Sequence, residues 1–207
     1  MHLSLSLFRI VEELSSALEA AEAELRAEQA VHGLDARDEV ELQALLADGL
    51  ALHHRVTREA YYPSSSGKRS GRPRCDLVLT PRGRPLETDD PPRPGETTCP
   101  PEDALWLELK VAHQLRPSGR SNARYGQQWR RALVADLRKL RADPRVRHAA
   151  IALVVFNDTQ ATLDKDLALF ELLLGEAGLF GFRTVRTIAI TERIGHALCT
   201  VAGWPLL

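Results

Sequence analysis

ALWLELKVA, residues 104–112, sets one glutamate and one lysine into an otherwise apolar run. In an extended strand successive side chains point to opposite faces, so Leu107, Leu109 and Val111 share one side. Trp106, Glu108, Lys110 and Ala112 share the other, and Glu108 and Lys110 emerge together, about 6–7 Å apart along the strand. CDLVLT, residues 75–80, is a second strongly apolar strand with Asp76 just inside its start. A buried carboxylate without a partner is costly, so Asp76 and Glu108 each need a reason to be there. Paired as a hairpin, the two strands let both carboxylates converge on one point. Their repulsion is removed by a hard divalent cation bound through oxygen. Lys110 beside such a cation can orient or deprotonate a water, or stabilise developing negative charge.

Outward from this pair, the chain alternates helical and extended patterns. Leu7, Val11, Leu14, Leu18, Ala21 and Leu25 recur at spacings of four and three, which predicts an amphipathic helix with a narrow seam, ended by Gly33. Asp35 is the expected cap of a second helix over about 36–52. HRVTREAYY (54–62) reads as a strand. Residues 81–103 hold seven prolines and two glycines and read as a long, mobile connection inside the hairpin. A helix is expected from Arg120 to Arg141, stopped by Asp143-Pro144. AAIALVVF (149–156) is a continuous apolar run, the mark of a strand buried on both faces. A helix over about 160–177, a last strand within 182–192 and a hydrophobic tail complete the chain. The expected fold is α/β, a mixed central β-sheet flanked by helices, with an extra N-terminal amphipathic helix. The expected division is residues 1–33 for that helix, serving packing or dimerisation, and 34–207 for the domain, with 81–103 as its insertion.

Composition places the chain among ordinary globular proteins, with 44% hydrophobic and 27% charged residues. No run approaches the roughly 18–20 apolar residues of a membrane span. The N-terminus lacks a basic n-region, and Cys75, Cys99 and Cys199 show no paired spacing, so a cytoplasmic setting without disulfides, structural zinc or an iron–sulfur cluster is expected. The net charge of -1 conceals segregation: residues 51–84 sum to +6 and 109–148 to +9, against -8 for 1–50 and -6 for 85–108. Two basic blocks flank the carboxylates and point to a polyanionic partner. Lys68, Arg69, Arg72 and Arg74 sit in a Gly/Ser-rich loop before Asp76. Arg124, Arg131 and Arg138, seven apart on a helix, make a ridge suited to phosphates.

A helix, a strand, a strand carrying Asp76, a hairpin connection, a strand carrying Glu108-Leu109-Lys110, a helix and a strand together resemble the PD-(D/E)xK nuclease superfamily, with its restriction-endonuclease-like fold. The likeness covers residues 36–156 and extends toward 192. RCDLVL stands where many members have a Pro-Asp pair, and the 31-residue gap between Asp76 and Glu108 is longer than a tight hairpin needs. The resemblance implies Asp76 and Glu108 as magnesium ligands, with manganese a possible substitute. It implies the Leu109 carbonyl as a further ligand and Lys110 at the attacking water. It also implies an acid from the preceding helix, for which Glu41 is the first choice and Glu39 the second, and in some members a glutamine, for which Gln114, Gln127 or Gln128 is available. The implied activity is magnesium-dependent phosphodiester hydrolysis, on DNA and endonucleolytic before exonucleolytic, in defence or restriction, or in repair or recombination. The implied assembly is a homodimer or a subunit of a larger complex.

The competing reading is a nucleic-acid-binding or assembly module on the same fold, without cleavage. No GxxxxGK[ST] or GxGxxG loop is present, which removes the nucleotide-binding classes that depend on one. The histidines show no metal-ligand spacing; His113, at the end of the Glu108–Lys110 strand, is the one placed to matter. Tyr125 and Trp129 read as core positions before stacking platforms.

Overall fold

A computed structural model describes residues 6–65, 71–88, 93–123, 125–179 and 181–206, with Gln127 and Gln128 described by backbone alone. The order is α1 (Leu7–Ala27), α2 (Glu39–Ala51), β1 (Arg55–Tyr61), β2 (Arg74–Thr80), β3 (Leu105–His113), α3 (Tyr125–Ala142), β4 (His148–Asn157), α4 (Gln160–Glu176), β5 (Thr184–Ala189) and β6 (Leu198–Leu206). The strands form one six-stranded sheet among the described residues, ordered β1-β2-β3-β4-β6-β5. β3 and β4 run parallel, joined through α3, and the other neighbours are antiparallel. The chain is thus a mixed α/β protein with helices on both faces of its sheet. Among the described residues no helix is long and apolar enough to cross a membrane.

β4 shows why the central run is apolar throughout. Ala150, Ala152, Val154 and Phe156 pack toward α1 and α2, and Ile151, Leu153 and Val155 toward α3 and α4. α1 lies in this core: Val11, Leu14, Leu18 and Ala21 are buried with Leu42, Leu46 and Leu50 of α2 and with Val201 of β6. α1 shares one core with α2 and the sheet. A Cβ on Gly49 would stand 2.5 Å from the Ala17 Cβ, so α1 and α2 cross at glycine distance. Leu14 is fully buried, and Leu14→Ala is expected to destabilise the chain by about 2–5 kcal/mol, read by denaturant unfolding.

Several boundaries differ from the sequence reading. α1 stops at Ala27, six residues before Gly33, where Gln29 takes a left-handed φ of 52° and ends the turn without a glycine. Asp35 caps nothing: it is buried in a short 3₁₀ turn, with its carboxylate 2.9 Å from His196 Nδ1. Asp38 caps α2 instead, accepting the Glu41 N–H while Glu41 accepts the Asp38 N–H. The α3 helix begins at Tyr125 and not at Arg120.

The hydrophobic tail is a sixth strand, set between β4 and β5. Proline cannot donate to a ladder, so Pro205 needs a place with a neighbour on one side only. The β5 pairing ends at Thr184↔Gly203, so Pro205 pairs with β4 alone. The proline-rich connection, expected to be mobile, is tied down in its described parts. Leu86 bridges Cys99, Glu87 N–H donates to the Cys99 carbonyl at 2.8 Å, and both Leu86 and Cys99 are buried. A few apolar residues among many polar ones suffice to anchor it.

Candidate active site

The β2–β3 ladder pairs Leu79 with Leu105, Val78 with Trp106 and Leu77 with Leu107, and there it stops. One step further, the same register sets Asp76 opposite Glu108. On its other side Asp76 faces Glu59, where the β1–β2 pairing is also interrupted and Glu59 takes a φ of 53°. A left-handed non-glycine residue costs about 1–3 kcal/mol and is held only where its surroundings demand it. The sheet therefore opens on both sides of Asp76. Asp76 Oδ2 fills the gap toward β3 by accepting the Leu109 N–H at 2.8 Å, replacing a backbone partner.

Glu108 is buried at 4% exposure, and its Oε1 accepts the Tyr62 hydroxyl at 2.6 Å. Burial first, and the Asp76 carboxylate second, push its pKa up to about 8, against the opposing hydrogen bond from Tyr62. Near neutral pH Glu108 therefore tends to keep its proton, since burial and the facing carboxylate both disfavour its charged form. Tyr62 is itself driven well above the usual phenol range, by burial and then by Cys75 and Glu108, so it stays a donor. Its ring stacks on Trp106 at 5.9 Å, which fixes the hydroxyl. Tyr62→Phe is expected to cost about 1–3 kcal/mol and to raise Glu108 further, seen in thermal melts as a loss that widens as pH rises.

Lys110 is half-buried. Its Nζ lies 3.1 Å from Glu39 Oε1 and 4.0 Å from Asp136 Oδ2 of α3. Burial lowers its pKa, but the charges of Glu39, Asp76 and Asp136 together outweigh that and hold it above its ordinary value. Glu39 also accepts the Val111 N–H at 3.3 Å, so the first residue of α2 is pinned to β3 by both oxygens. Asp136 is buried and bonds Lys139 Nζ at 2.6 Å.

The structure brings Asp76, Glu108 and Lys110 together, and Glu39, the second choice, is the α2 acid that reaches Lys110. Glu41, the first choice, is exposed and spent on the capping box. Glu41→Ala is expected to lower stability by about 1 kcal/mol through loss of the capping box, read in melting curves. Tyr62 and Asp136 were missed. The legible signal for Asp136 was an acid set into the apolar seam Leu133, Leu137 and Leu140; Tyr62 carried no comparable mark.

The basic residues divide. Arg72 and Arg74 stand over the Tyr61 ring at 4.8 and 4.9 Å, beside the open end of β2. Arg131 and Arg138 line a groove with Leu173 and Ala177 at the α4 side, away from the α3 face that carries Trp129 and Asp136. The expected ridge therefore does not face the carboxylates: a spacing of seven keeps residues in line without saying which way the line points. Lys68, Arg69 and Arg124 lie outside the described residues. Gln114 Oε1 accepts the Asp158 N–H at 2.8 Å, at the β4–α4 connection, and the Gln127 and Gln128 side chains lie outside the described set.

Fold and site define a mixed α/β protein with an acid–acid–lysine cluster where a hairpin opens. No family model matches the chain, and no curated protein or solved structure does either. Among the described residues no three His, Cys, Asp or Glu side chains are grouped to hold a metal ion. Two carboxylates and a backbone carbonyl are the set on hand. Magnesium is compatible with that set, since it keeps several waters and takes one or two carboxylates.

Proposed function

We propose that the chain is a magnesium-dependent nuclease hydrolysing phosphodiester bonds of DNA, on a restriction-endonuclease-like variant of its fold. The observation that carries this reading is the opposition of Asp76 and Glu108 one step past the last backbone pair of β2 and β3, with Lys110 two residues on. Two facing acids, one of them buried, are a site that a divalent cation can take over by displacing the Glu108 proton. Asp76, Glu108 and the Leu109 carbonyl would hold the ion. Bound there, it would supply charge neutralisation at the phosphate and a more acidic water.

The protein's own groups do the rest. Tyr62 holds Glu108 in place through its hydroxyl. Lys110, kept cationic by Glu39 and Asp136, presents its ammonium to the water and to the charge developing on the phosphate. Glu39 limits where that ammonium can go. The basic segment around Arg72 and Arg74 meets the phosphates that flank the cut.

Incubating the protein with plasmid, single-stranded DNA and RNA, in magnesium, manganese or chelator, tests this beside Lys110→Ala. Metal-dependent cleavage lost in the variant is the expected result. No cleavage of any substrate, or equal cleavage by both proteins, overturns it. Salt-sensitive binding without cleavage would favour the non-cleaving module instead.

A further inference from the structure

Arg131 and Arg138, turned away from the carboxylates, take no part in the proposed cleavage. They stand exposed on the outward side of α3, with an exposed Ala135 between them. α4 lies beside α3 on the same face of the sheet, and the two helices border a groove of about 450 Å³. Half-buried Val134, Leu173 and Ala177 form its floor, with Arg131 and Arg138 along one bank and Glu176 on the other. On that second bank α4 presents Ala168, Leu169 and Leu172 to the outside, Leu172 at 64% exposure, while Leu167, Phe170 and Leu174 fill the core behind it. A helix apolar on both its inner and its outer side is ordinarily covered on both.

The distribution of charge selects what covers it. Among the described residues Arg131, Arg138 and Glu176 form no ion pair. Two cations on α3 and a carboxylate on α4 thus stand side by side along one groove. Asp164 and Lys165, nearer the start of α4, are exposed and of opposite sign, so they leave that balance unchanged. Such a face is complementary to itself after a half-turn, because each sign then meets the other. A polyanion is opposed by Glu176 in the same groove and gains nothing from the leucines beside it.

We infer that this face pairs with a second copy of the chain about a twofold axis running along the groove, so that α4 of each copy lies over α3 of the other. Leu172 then comes to the partner's Ala135, which is small enough to let the helices approach, and Arg131 and Arg138 meet the partner's Glu176. The contact is isologous and closed, which stops association at two chains. Asp136 faces Lys110 from another side of α3, so the acid–acid–lysine cluster stays outside the interface. The pairing does not rest on the nuclease reading.

Sedimentation equilibrium of the full chain measures the pair directly. The wild type is expected to be mostly dimeric at about 50 µM, and a chain that stays monomeric up to about 200 µM overturns the inference. Two charge variants test the geometry: Arg131→Glu combined with Arg138→Glu, and Glu176→Arg alone. Each sets like charges across the twofold and is expected to associate about tenfold more weakly than the wild type. An equal mixture of the two is expected to regain the wild-type constant, since every charged contact in the mixed pair joins opposite signs. Variants that associate like the wild type, or a mixture no tighter than its components, overturn the inference. Leu172→Asp is expected to weaken the pair by about tenfold or more, and wild-type association by that variant counts against it equally. If the arginine variant associates as before and instead binds a DNA duplex more weakly in chelator, the two arginines serve nucleic acid and the inference falls. Failure of the nuclease reading shows separately, as no cleavage in magnesium, and leaves the association result standing.

Discussion

Asp76→Ala is expected to abolish metal-dependent cleavage, lowering the rate on the order of 10²–10³-fold, the scale of removing one charge-placing group at a reacting centre. Two losses combine in that variant. The negative charge facing Glu108 goes, and with it half of the carboxylate pair that would hold the cation. The Leu109 N–H also loses its acceptor, 2.8 Å away in the wild type, so part of the effect would be structural. Asp76→Asn separates the two, because the amide oxygen still accepts that N–H while the charge is absent. Cleavage in magnesium and manganese, with thermal unfolding alongside, reads the difference. An Asn variant that melts like the wild type and has lost cleavage fits the proposal. One that cleaves at the wild-type rate sinks it.

Glu108→Gln is expected to act in the opposite direction on stability. Folding raises the Glu108 pKa from 4.5 to about 8, so between those values the folded chain binds a proton that the unfolded chain has released. The stability that this proton brings is fully present below about pH 4.5, declines as pH rises, and is gone above about pH 8. A glutamine carries no such dependence, still accepts from Tyr62 and can donate to Asp76. The variant should therefore gain on the wild type as pH rises from 5 to 8.5, by on the order of a few kcal/mol. Melting both proteins across that range without metal reads the gain, and parallel curves would contradict it. Magnesium should reverse the order, raising the wild-type midpoint at high pH and leaving the glutamine variant where it was, since the proton and the cation compete for one site.

The pairing of Asp76 with Glu108 is legible in the chain because it depends on local quantities. Strand alternation has a period of two, an antiparallel hairpin fixes the register, and a charged residue in an apolar run stands out in either strand. The six-strand sheet is nearly legible for the same reason. Its last strand is obscured by Gly203 and Pro205: Pro205 is tolerated where β6 runs past the end of β5, and Gly203 where the strand packs under α1, close enough that a Cβ would stand 2.8 Å from a Val11 methyl.

Other features depend on where one element lies relative to another. Glu39 and Glu41 sit two residues apart at the start of α2, and both are acids at a helix N-terminus. Which one reaches Lys110 is set by the rotation of α2 about its axis, and that by Leu42, Leu46 and Leu50 in the core. Asp136 enters the site because α3 packs its apolar seam against β3, and the same rotation turns Arg131 and Arg138 toward α4. The local sequence alone determined the acid–acid–lysine line, through the two-residue period of the strand. The tertiary structure alone decided which helix residues meet it, because a helix's roll is fixed by its packing partners and by nothing in its own periodicity.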